Sequence, residues 1–136
     1  MGFFSCFAAH AQTCTLDVGG NNGEMITKIF QLNQEQIGIM EQLKAEFEIT
    51  SRTIEDTIQK LFDEHPQSTT EELTTMAGKY KALQQKIVDA SLESDTKLLS
   101  VFNEKQYQRY LLLCNEAIRE PIRVIPVQMT DSVRQN

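Results

Sequence analysis

Beyond its first eleven residues the chain has one imidazole, His65, which follows Asp63-Glu64 and precedes Pro66. A catalytic histidine needs a nucleophile to activate or a group to orient it. A zinc site needs further His or Cys ligands at close spacing. Neither set surrounds His65, and a histidine beside a helix-breaking proline reads as a helix-end or turn residue. Gly19-Gly20 has no Lys-Ser/Thr pair after it, so it is no phosphate-cradling loop. The acidic pairs Glu55-Asp56, Asp63-Glu64 and Glu71-Glu72 read as solvated helix faces and partners of helix dipoles. The residues therefore point to a protein that is no enzyme, with no catalytic residue, no metal ligand and no cofactor.

What the sequence does repeat is a device for starting helices. Leu32-Asn33-Gln34-Glu35-Gln36 and Phe102-Asn103-Glu104-Lys105-Gln106 share the pattern apolar-Asn-x-x-Gln, and each precedes a large apolar residue, Ile37 or Tyr107. Asn at the N-cap accepts from an amide of the first turn, and Gln three residues on reaches back to the N-cap amide. Leu32 with Ile37, and Phe102 with Tyr107, are spaced as hydrophobic staples.

The periodicity between the two copies is helical. Met25 to Gln31 suits a short packing helix. From Asn33 to about residue 64, Ile37, Met40, Leu43, Phe47, Ile54, Ile58 and Leu61 form one stripe. At 1.5 Å per residue that helix is roughly 48 Å long and needs an equally long partner. Pro66 stops it, Ser68-Thr69-Thr70-Glu71 reads as another capping box, and a second stripe runs from Leu73 through Met76, Tyr80, Leu83 and Ile87 to Leu98 and Val101. The short break predicts an antiparallel hairpin. The second copy of the motif then launches a third helix, through Tyr107, Tyr110, Leu111, Cys114 and Ile118, to Glu120-Pro121. No alternating strand pattern is present, so the fold class is all-α: a long antiparallel helical hairpin plus shorter flanking helices.

The ends are composed differently. Residues 1–11 carry no acid, lysine or arginine and finish Ala9-His10-Ala11, which reads as the remnant of a secretory signal whose basic start is missing. Residues 12–24, with Gly19-Gly20-Asn21-Asn22-Gly23, read as a flexible arm, 25–120 as the helical domain, and 121–136 as an extended C-terminal arm. Cleavage after Ala11 leaves Cys14 and Cys114. In an oxidising compartment they are a possible disulfide, worth roughly 4–5 kcal/mol in the chain-entropy account; otherwise Cys114 is a small buried apolar residue and Cys14 a free thiol.

A formal charge of −6, spread along 136 residues, argues against nucleic acid or an anionic membrane surface as partner. No apolar run approaches the ~20 residues of a membrane span. Ile39, Ile49, Phe62, Leu92, Leu112 and Leu113 lie off the main stripes. Left uncovered they would form a protein-binding surface; alternatively the short helix and the C-terminal arm cover them.

Two LTxxQ-like motifs flanking a long helical hairpin behind a signal remnant resemble the Spy/CpxP-type periplasmic proteins. Leu32-Asn33-x-x-Gln36 and Phe102-Asn103-x-x-Gln106 stand at the two motif positions, with Asn in place of Thr in both and Phe in place of Leu in the second. Ser100 to Tyr107 is similar to the second motif region, and the resemblance covers roughly Leu32 to Glu120. It implies an exported, non-enzymatic homodimer in the periplasm that binds unfolded or partner proteins as an ATP-independent chaperone in envelope stress. A regulatory module docking one sensor-protein domain is the alternative it implies. The metal-responsive branch of the family is the least favoured, because its histidines are absent here. This chain is acidic where the best-known chaperone cradle of the family is basic.

As N-caps, Asn33 and Asn103 predict that Asn33→Ala or Asn103→Ala each lowers stability by about 1 kcal/mol in urea unfolding. No change in midpoint would remove the capping role.

Overall fold

The computed structural model describes residues 12–125, so residues 1–11, read above as a signal remnant, and 126–136, the last eleven of the expected C-terminal arm, lie outside the described residues. Four helices follow in order: α1 (Gly23–Phe30), α2 (Gln34–Glu64), α3 (Thr70–Ser100) and α4 (Glu104–Glu116). The fold is all-α, and α2 and α3 are 31 residues each.

The caps set these boundaries. Asn33 and Asn103 both adopt extended N-cap geometry with reciprocal capping boxes. Thr69 caps α3 with Glu72, one residue later than the expected Ser68–Glu71 box, and the Glu72 carboxylate accepts from the amides of both Ser68 and Thr69. α1 ends where Gln31 turns left-handed and the Leu32 amide donates to the Thr27 carbonyl over 3.1 Å. α4 closes the same way, with Ile118 left-handed and Arg119 N–H on the Cys114 carbonyl at 2.9 Å. It therefore stops at Glu116, short of the expected Glu120-Pro121, and the turn brings Glu120 beside residues 12–14.

The core sits at one end of the hairpin. Val18, Leu98, Leu99, Phe102, Tyr110 and Cys114 are at most 1 % exposed. The rings of Phe30 and Phe102 pack with centroids 5.0 Å apart. Leu32 and Phe102, the leading residues of the two motifs, are both buried, as is Tyr107.

Of residues 12–24, expected to be a flexible arm, 12–22 are instead strapped to this core and Gly23 and Glu24 open α1. Glu120 N–H donates to the Gln12 carbonyl and Cys14 N–H to the Glu120 carbonyl, both over 2.8 Å, forming a short parallel bridge. Cys14 and Cys114 are joined by a disulfide between Cα atoms 5.7 Å apart. The Tyr110 hydroxyl donates to the Cys14 carbonyl at 2.6 Å and accepts from Ile122 N–H at 2.9 Å. Tyr107, stacked beside it, donates to the Ile122 carbonyl. Burial pushes the Tyr110 phenol above its ordinary pKa.

The middle of the strap is held by Asp95 of α3, which is wholly buried. Its Oδ2 accepts from the amides of Leu16 (2.8 Å) and Asp17 (3.2 Å), and its Oδ1 from Val18 (2.9 Å). No cation pairs with it among the described residues. Burial raises its pKa above the ordinary carboxylate value, and the three amides offset this only in part. The folded state therefore takes up this proton at a pH where the unfolded chain has not. Its contribution is complete below the unfolded pKa and is lost as pH rises through the folded one. The unfolding free energy of the native chain relative to Asp95→Asn should thus grow as pH falls from neutrality towards the carboxylate range. A gap that shrinks on acidification would show the three amides outweighing burial.

Candidate binding surface

Gln36 and Gln106 are the residues on which the two motifs converge. Both are buried, at 2 % and 7 % exposure, although each belongs to the first turn of a helix. Gln36 Nε2 donates to Gln106 Oε1 at 2.8 Å, and Gln106 Nε2 donates back to Gln36 Oε1 at 3.0 Å. The second amide hydrogen of Gln36 goes to the Val101 carbonyl at 2.9 Å, and that of Gln106 to the Phe30 carbonyl at 3.0 Å. The second lone pair of each oxygen takes the N-cap amide of its own helix, Asn33 or Asn103. Every donor and acceptor of the pair is used. Each glutamine thus starts its own helix and also holds a carbonyl at the end of the helix that precedes the other motif. The six motif residues, Leu32, Asn33, Gln36, Phe102, Asn103 and Gln106, build one structural node rather than a ligand site.

The node leaves the rest of the hairpin free of the body. Past Leu43 on α2 and before Ser94 on α3 no residue is fully buried. The facing stripes, Phe47, Ile54, Ile58 and Leu61 on α2 with Met76, Tyr80, Leu83 and Ile87 on α3, are all half-buried. Phe62 and Tyr80 meet near the turn, with ring centroids 5.3 Å apart. The hairpin here is two helices thick for about 30 Å, so each apolar stripe is covered on one side only.

The six residues expected to form the protein-binding surface do not share one place. Ile39 packs on the core, and Leu92 is half-buried just beyond the last fully buried residues of α3. Ile49 is 70 % exposed and Phe62 40 %, but thirteen residues apart on one helix they point in different directions. Leu112 and Leu113 are exposed on α4. Beside the exposed Ile49, Phe62, Leu73 and Val88, the hairpin offers the half-buried seam between the two long helices, whose stripes had been read as interior. Among the described residues no group of three or more His, Cys, Asp or Glu side chains is placed to hold a metal ion, and no helix is long and apolar enough to cross a membrane.

Gln36→Leu and Gln106→Leu should each cost about 3 kcal/mol, since each strands a buried amide and a carbonyl. The double variant should cost at least ~1 kcal/mol less than their sum in a double-mutant cycle by urea unfolding. Strict additivity would mean that the two amides do not act as a unit.

In comparisons with known proteins, no family model, no curated protein and no solved structure matches the chain.

Proposed function

We propose that the chain is an exported, non-enzymatic helical protein of the Spy/CpxP type, which works in the periplasm as a homodimer and holds unfolded or partner proteins on its hairpin. The observation that carries this reading is the half-covered apolar seam of α2 and α3 beyond Leu43. Apolar surface that a monomer leaves uncovered along some 30 Å is suited to polypeptide partners, which bury such surface without any catalytic group. Two further features support it. The Cys14–Cys114 disulfide suits an oxidising compartment. The paired motifs and the long hairpin are those on which the resemblance rests.

Aggregation of a chemically denatured client, followed by light scattering with this protein at substoichiometric to equimolar ratio, tests the reading. Suppression is expected, and it should weaken when Ile58 and Leu83, one from each half-buried stripe, are both changed to Gln. An absence of any suppression would sink the chaperone-like function. Cross-linking in an envelope fraction should yield many partners; a single one would point to a regulatory module docking one sensor domain.

A further inference from the structure

Near its turn the hairpin carries a cleft of about 630 Å³ between α2 and α3. Its apolar lining comes from Leu61, Pro66, Ala82 and Leu83, and three lysines, Lys60, Lys79 and Lys86, stand around it with a single carboxylate, Glu64. That balance runs against the chain as a whole, whose formal charge is −6. Leu73 to Val88 of α3 contains three lysines and no acid. None of the three cleft lysines is ion-paired among the described residues, whereas Lys28, Arg52 and Lys97 each hold a carboxylate one turn away.

We propose that this cleft binds a single-chain anionic amphiphile, a free fatty acid, with its alkyl chain on the apolar lining and its carboxylate among Lys60, Lys79 and Lys86. The volume lies in the range of small-molecule clefts. The polar groups decide between an amphiphile and a peptide. A bound peptide brings a row of amides and carbonyls that need partners. Thr57 Oγ1 already donates to the Thr53 carbonyl and His65 Nδ1 to the Pro66 carbonyl, and the backbone of the helical walls is bonded internally except at the last turn of α2, so the polar groups the cleft offers are chiefly charged side-chain ends, three ammonium groups and one carboxylate. An alkyl carboxylate makes one polar demand, at one end, and lysines spaced along both walls offer it a cation at either end of the cleft. The methylene stems of the lysines add to the apolar lining while their ammonium groups stay in water. This site does not depend on the chaperone-like reading.

Displacement of a dansyl-labelled undecanoate from the full chain, with laurate as competitor below its micellar concentration, tests the site. Laurate should displace the probe. Lys60→Gln/Lys79→Gln/Lys86→Gln, all at exposed positions, should weaken laurate roughly tenfold, the combined effect of three partly solvated ion pairs, and leave 1-dodecanol unchanged. Leu83→Gln should weaken both. Failure of laurate to displace the probe, equal binding by the triple variant, or equal binding of dodecyltrimethylammonium would each overturn the assignment. Displacement by an acidic unstructured peptide but not by laurate would overturn it in favour of a polypeptide site.

Discussion

Two buried side-chain amides facing each other fix where everything else in this molecule can go. Gln36 and Gln106 can satisfy one another only in a single relative placement of the first turns of α2 and α4, with both N-cap amides and the Val101 and Phe30 carbonyls in reach. A glutamate in either position would set oxygen against oxygen, and an asparagine would fall one methylene short. The cost of leaving such a group unpaired in a buried place exceeds the gain from an ordinary hydrogen bond, so the pair acts mainly as a constraint. Leu32 and Phe102 bury beside it because each precedes the N-cap of a helix whose direction the pair has set. The α1–α2 and α3–α4 corners are therefore two copies of one joint locked face to face.

The arms are the second layer, built with the same economy of polar groups. Asp95, Tyr107 and Tyr110 project from two helices and satisfy amides and carbonyls of segments that have no regular structure of their own. A strap with unsatisfied backbone groups could not lie against the core; these three side chains supply the partners. The disulfide ties the strap to α4 across 100 residues of sequence and removes the freedom of the unfolded chain to separate the two ends. Burial of Leu16 and Val18 then follows from being held in place.

Local signals in the sequence carried most of the fold. The caps of α2 and α4, the length of the hairpin helices and its closing turn all rest on residues within four positions of one another, which is the range of capping chemistry and helical periodicity. Interactions between distant segments were out of that range. Gln36 and Gln106 read as reach-back caps because nothing in either pentapeptide shows that its second amide hydrogen meets the other copy, 70 residues away. The strap read as a flexible arm because, apart from Cys14, whose pairing had been left open, its anchors to the core are mostly backbone groups, which every residue has. Asp95 did leave a trace. With Leu98, Leu99 and, just past the end of the helix, Phe102 it sits at three-, four- and seven-residue steps on the most buried stripe of α3. A carboxylate on such a stripe must have found donors.

The same constraint accounts for the open hairpin. Sequence periodicity reports which residues share a face, but not how many neighbours that face has. The stripes of α2 and α3 look alike from end to end, yet the strap reaches only as far as Gly19, which lies against Phe47. Before that point the seam has a third layer and closes into a core; from Phe47, which only the tip of the strap touches, outward there are two helices and no further chain to cover them among the described residues. Two helices in contact can bury the residues at their line of closest approach but not those on its flanks. The flanks stay half-exposed, and the composition reflects it: beyond the core, α2 and α3 carry apolar residues singly or in pairs spaced among lysines, glutamates and glutamines rather than the dense run of Leu98 to Phe102. One end of this hairpin is clamped. The amide pair, the strap and the disulfide all lie at that end, leaving the far end free to meet another molecule.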